Sequence, residues 1–202
     1  MSGNDIGFKC NFAYMDPDTR IVHKRRVDRE FQRWGLEIID AINGLVIPGF
    51  EEYTVKARHA TEHRIGLTVS GPGLTNKITD TDPLVDNLKL LEIKAETEEG
   101  EKTAQVINAL NEAIIRILHT HPINIKRVEE GKKPANLILL RGCGQRIEVP
   151  NFQEKNNLKS FGICPTAIIK GLLSNIGIDI AEVEGATGDY HSNFEAKGKA
   201  TV

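Results

Sequence analysis

The sequence predicts an α/β fold, a mixed β-sheet flanked by helices. Three observations carry this. Ile6 to Tyr14 alternates with a period of two: Ile6, Phe8, Cys10, Phe12 and Tyr14 share one face, and Lys9, Asn11 and Ala13 the other. Glu101 to His121 repeats Ile107, Leu110, Ile114, Ile117 and Leu118 at helical spacing. Strand-like and helix-like stretches then keep alternating instead of segregating into blocks.

Each element has a local reason. After the first strand, "MDPDTR" is a turn by its Asp and Pro content, and Arg20 to His23 returns as the second arm of a hairpin. Asp28 can cap a helix running to about Asn43, with Phe31, Trp34, Ile38, Ile39 and Ile42 as its apolar stripe and Gly44 as its stop. Tyr53 to Ala57 and His63 to Val69 alternate as strands, and Leu88 to Ala95 holds a short one. Pro122 disfavours helical geometry at His121 and ends the long helix, leaving a basic loop after it. Leu137 to Leu140 is apolar without interruption, as expected of a strand buried on both faces in a mixed or parallel sheet. Phe161 to Cys164 and Ile178 to Val183 are strands around a helix that Thr166 caps and Gly177 stops, and "EAKGKATV" begins a last helix. No repeat and no linker rich in Gly, Ser or Pro divides the chain, so residues 1–202 are expected as a single α/β domain.

The formal net charge of -2 gives no global positive field for nucleic acid. No apolar run approaches the ~20 residues of a membrane helix, and no basic-then-apolar signal pattern opens the chain, so a cytoplasmic setting is expected. Cys10, Cys143 and Cys164 are odd in number and widely spaced; they read as reduced thiols, with a reactive Cys143 between two glycines as the other reading.

Several positions suit anions. Arg141, between Leu140 and the glycines 142 and 144, with Lys132 and Lys133 upstream, can grip a phosphate or carboxylate at a strand end where backbone N–H groups lie open; a surface Arg before a turn reads equally well. Arg25, Arg26 and Arg29 stand at a helix start, where a negative ligand would offset their conflict with the helix dipole; a solvated basic patch is the plainer reading. His63 shares a strand face with Ile65 and Leu67, with Arg64 on the other face; a structural histidine and a functional one both fit. Asp80 and Asp82 lie in a long loop and could hold a metal, meet a substrate hydroxyl, or simply shape a turn. Lys170, in the first turn of a helix, is unhelpful to the dipole but placed for an anion. His119 and His121, two residues apart, face different ways and read as cations of a last helical turn. There is no G-x-S-x-G elbow, P-loop, dinucleotide glycine fingerprint or H-E-x-x-H, and no nucleophile beside a base.

In order, "FKCNFA", "KRRVDR", "HRIGL", "TDTDP", "HPINIKRVEEGKKPANLILLRGCG", "TAIIKGL" and "VEGATGDYHSN" resemble the archaeal-type, cofactor-independent phosphoglycerate mutases of the alkaline-phosphatase superfamily. The resemblance covers about Ile6 to Lys199. It implies an insert domain excised from a larger enzyme, whose phosphatase-like part carries a serine nucleophile and two divalent metal ions (Mn, Mg, Co or Zn) and interconverts 3-phosphoglycerate and 2-phosphoglycerate in glycolysis and gluconeogenesis. The serine motif and the later metal-ligand segment are absent, so this fragment is expected to hold no catalytic residue and no metal and to be inactive alone. Its partners would be the phosphoglycerate and the missing phosphatase-like domain, with no nucleic acid and no membrane. By the resemblance, Arg25, Arg26 and Arg29 meet phosphate or carboxylate, and Asp80 and Asp82 meet hydroxyls or move protons. His63 and Arg64 sit near the transferring group, Arg141 and Lys170 complete the cradle, and Asn11 adds a hydrogen bond. The chain departs from the family pattern at Val27-Asp28, at Glu62 in place of a glycine, at Ser70 in place of an arginine, and at His191-Ser192 in place of an Asp-Thr pair. Another phosphomutase or phosphonate-processing member of the superfamily, or a free-standing module binding a phosphorylated metabolite, are the other readings.

Overall fold

The computed structural model describes residues 5–28, 31–188 and 190–201. The chain divides into two compact units, Met1–Arg146 and Ile147–Val202. In the first, β1 (Ile6–Met15) pairs with β4 (Arg64–Ser70), which pairs with β3 (Thr54–His59). On its other side β1 pairs with β6 (Leu137–Gln145) through Ala13 and with β2 (Ile21–Lys24) at its end, and β2 carries the two-residue β5 (Leu88–Lys89). All these pairings are antiparallel.

The alternation of β1 is what layers this unit. Ile6, Phe8, Cys10 and Phe12 point into one core together with Ile65, Leu67, Val69, Val55, Ile138 and Leu140. Helix α1 (Phe31–Asp40) supplies Ile38 and Ile39 to that core, and α2 (Glu101–Thr120) supplies Val106, Ile107, Leu110, Ile114 and Leu118. The helices thus cover one face of the sheet. The apolar run of β6 is buried on both faces, as expected, but in an antiparallel sheet: Leu137 and Leu139 turn away from Ile138 and Leu140 into a smaller cluster with Ala13, Met15 and Val22.

Three expectations are corrected. First, β6 does not stop at Arg141. Gly7 pairs with Gly144 and Lys9 with Arg141, so two residues of β6 face one of β1. This is a bulge, and Gly142 takes the positive φ of 57° that it requires. Arg141 is therefore mid-strand. Second, α2 ends before Pro122 as expected, but a helix and not a basic loop follows. α3 (Pro122–Glu129) begins with Pro in its first turn, where no N–H is needed. Third, His121 is the N-cap of α3, its Nδ1 accepting from the Ile123 N–H at 3.3 Å. Burial lowers its pKa, so the ring is a neutral acceptor and not a cation; His119 does lie in the last turn of α2. The start of the helix expected at Asp28 falls at residues outside the described set. Asp28 itself pairs with Arg127 of α3.

In the second unit α4 (Phe152–Asn156) precedes β7 (Phe161–Gly162), α5 (Ala167–Asn175) and β8 (Asp179–Ile180), and α6 (Phe194–Lys199) closes the chain. β7 and β8 are parallel, joined through α5 as a βαβ unit. Among the described residues no apolar side chain of this unit is buried, and Ile168 and Leu172 of α5 are exposed.

Candidate anion-binding site

The site is organised by one buried carboxylate. Asp82 Oδ1 accepts from Arg25 Nε at 2.6 Å and from the Leu84 N–H at 2.9 Å. Oδ2 accepts from Arg25 Nη2 at 2.7 Å and meets Arg141 Nε at 2.9 Å. The Asp82 side chain is fully buried, whereas those of Arg25 and Arg141 are 16% and 22% exposed. Burial works to raise the Asp82 pKa; the hydrogen bonds from Arg25 and Leu84 and the charges of Arg25 and Arg141 outweigh it and hold the carboxyl below its usual range. The Arg25 guanidinium is raised in turn, first by its hydrogen bond to Asp82. With each oxygen already holding two donors, Asp82 is a strut that aims two guanidiniums.

The loop before it is fixed to the open edge of β6. Thr81 N–H and Oγ1 donate to the Leu140 carbonyl at 3.0 and 3.2 Å, and Oγ1 accepts from the Leu140 N–H at 2.8 Å. Asp80 Oδ1 accepts from the Gly142 N–H at 2.8 Å. The "TDTDP" segment thus pairs with an edge strand that would otherwise present bare backbone groups, and this places both aspartates. Asn11, at the centre of β1 and buried, lies between Arg64 and Leu139 in register. With its amide turned so that both ends are satisfied, its oxygen accepts from Arg141 Nη1 at 3.0 Å and its nitrogen donates to the Cys10 carbonyl.

Asn11, Arg25, Asp80, Asp82 and Arg141 therefore come together. A guanidinium has five N–H donors. Two of Arg25's are used on Asp82, and two of Arg141's on Asp82 and Asn11, leaving three on each. Such a fork suits a tetrahedral or planar oxyanion. A hollow of about 450 Å³ lined by Lys24, Arg25, Arg26 and Asp86 adjoins Arg25 and brings in Arg26. Arg29 lies outside the described residues. His63 is buried just before β4, where its carbonyl accepts from the Phe12 N–H. Lys170 belongs to the second unit, where Nζ meets Glu182 Oε1 at 2.6 Å. For Cys143, burial and then the charge of Asp80 push the thiol pKa up to about 12, which favours the thiol form over the thiolate that a reactive cysteine needs.

Glu62 explains one departure from the expected pattern. It has φ 57°, the left-handed region that favours glycine, and its carboxylate meets Arg64 Nη1 at 3.1 Å. Glu62→Gly is expected to stabilise the chain by about 1 kcal/mol, because the strain outweighs an exposed ion pair. It should also free Arg64; a denaturant midpoint and a phosphoglycerate titration check both effects.

The sequence reading did not single out Lys9, although alternation already set it on the face of Asn11. In register it pairs with Arg141 on one side and Gly66 on the other. Among the described residues no group of three or more His, Cys, Asp or Glu side chains is placed to hold a metal ion. Among the described residues no helix is long and apolar enough to cross a membrane.

Comparison with known proteins gives the family. Residues 1–124 match the family model described as 2,3-bisphosphoglycerate-independent phosphoglycerate mutase. The chain belongs to that family. It is 35% identical to the 2,3-bisphosphoglycerate-independent phosphoglycerate mutase of Saccharolobus solfataricus, over 100% of this chain and 49% of that protein. It is 41% identical to phosphoglycerate mutase 1 of Methanothermobacter thermautotrophicus, over 95% of this chain and 47% of that one. The solved cofactor-independent phosphoglycerate mutase of Thermoplasma acidophilum superposes with a TM-score of 0.71 at 34% identity, covering 98% of this chain and 51% of its own. The chain spans about half the length of these mutases. The resemblance read from the motifs and the α/β class with flanking helices both hold.

Proposed function

We propose that this chain is the substrate-gripping part of a metal-dependent phosphoglycerate mutase that interconverts 3-phosphoglycerate and 2-phosphoglycerate. The observation that carries the reading is the pair of guanidiniums, Arg25 and Arg141, aimed by the buried Asp82 with donors to spare. Phosphoryl transfer depends on positioning and on neutralising charge, and little covalent chemistry is asked of the residues that hold the substrate. Arg25, Arg26 and Arg141 fix the acid phosphate, and Asn11 orients Arg141. Asp80 and Arg64 border the grip, to which the family resemblance adds Arg29. The nucleophile and two divalent metal ions are supplied by polypeptide outside the 202 residues, whose phosphatase-like part is the chain's partner.

An enolase-coupled assay of the 202-residue chain with manganese tests the division of labour. The expected rate is that of the blank. Turnover above it would place the chemistry in this chain and overturn the reading.

A further inference from the structure

The clamp carries its own counter-charge: Arg25 and Arg141 both pair with Asp82, and Asp80 is held next to Arg141 by the Gly142 N–H. A substrate with two anionic ends needs more than a balanced cluster. The surplus lies on the sheet face away from the helices. Strand register places Arg58 opposite Gly66, Gly66 opposite Lys9, and Lys9 opposite Arg141, one row across four strands. Arg58 and Lys9 are exposed, and among the described residues neither has a carboxylate partner. Gly66 between them is also exposed, and a Cβ built there would meet nothing within 4 Å. The row is therefore a bare floor flanked by two unpaired cations, with the clamp at one end. Lys56, on the same face one row over, adds to the field.

We infer that Lys9 and Arg58 form a second anion subsite over Gly66, which takes the carboxylate of a three-carbon acid phosphate whose phosphate lies on Arg25 and Arg141. This rests on the function proposed above and deepens it. Neighbouring strands stand ~4.8 Å apart, about the separation of the two anionic ends of such an acid. Lys9 thus reaches the carboxylate while its strand neighbour Arg141 holds the phosphate. Arg58, reaching in from across the glycine, closes the far side. The subsite sets specificity, since a phosphate ester without a carboxylate leaves it empty.

The test compares two ligands on the 202-residue chain by calorimetry: 3-phosphoglycerate, and glycerol 3-phosphate, which has a hydroxyl in place of the carboxylate. Lys9→Met and Arg58→Met change exposed side chains, and unchanged thermal melts confirm that the fold is intact. The double variant is expected to lose about tenfold in affinity for 3-phosphoglycerate and to hold glycerol 3-phosphate as before. Equal loss for both ligands, or loss for neither, overturns the subsite. If the unaltered chain binds both ligands equally well, the subsite falls while the phosphate clamp stands. If it binds neither at about 10 mM, the clamp and the subsite fall together.

Discussion

Asp82→Asn is expected to destabilise the first unit by about 3 kcal/mol. The change leaves Arg25 and Arg141 side by side with no charge between them and turns an amide donor toward their N–H groups. Breaking a buried pair this way costs about 3–5 kcal/mol; the lower end applies because both guanidiniums keep some contact with water. For a chain of this size the cost corresponds to a fall of roughly 6–12 °C in Tm. The effect has a pH signature. Asp82 has a folded pKa below its unfolded value, so its contribution is complete above the ordinary carboxyl range, near pH ~4, and is lost as pH falls through the folded pKa. The difference in denaturant stability between the parent chain and Asp82→Asn should be constant from pH 7 to pH 5 and shrink below pH ~4. A difference that grew on acidification would contradict the strut.

Arg141→Ala is expected to cost about 2 kcal/mol, or some thirtyfold, in 3-phosphoglycerate affinity, the range for a hydrogen bond to a charged group. Arg141→Lys should recover only part of this, because an ammonium cannot reach Asp82, Asn11 and a ligand oxyanion with one rigid fork. Stability should fall little in the lysine variant, since Arg25 still makes both of its bonds to Asp82. Calorimetric titration of the two variants separates the loss of charge from the loss of geometry.

Much of the fold was legible because it is written in local period. β1 alternates cleanly, and α2 repeats its apolar residues at helical spacing, so both elements and their buried faces followed from the sequence. Where one residue serves two ends, local reading was half right: Pro122 does end α2, but it also opens α3 where a loop was expected, and His121 is a cap and not a dipole cation. The bulge at Gly142 was hidden for a different reason. A glycine after an apolar run reads as a strand end unless the partner strand is known, and the partner, β1, is more than 120 residues away.

The candidate site follows the same division. Arg25, Asp82 and Arg141 could each be singled out by type and setting. That Asp82 binds the other two is a product of β1–β6 register and of Thr81 holding the loop to Leu140, both non-local. The row from Arg58 to Arg141 needs three strand registers at once, and no single window of sequence contains it. Glu62 was visible as a departure from the pattern, but its cause, a positive φ, was not.

The central claim is that the Asp82-clamped guanidiniums hold an acid phosphate. It is tested most directly by following backbone amide resonances of the 202-residue chain while 3-phosphoglycerate is added. The account predicts saturable shifts at Asn11, Arg25, Asp80 to Asp82, Arg141 and Gly142, moved to about thirtyfold higher ligand concentration in Arg141→Ala. Saturable shifts confined to other surfaces, such as the hollow lined by Tyr14, His23 and Lys133, would contradict it.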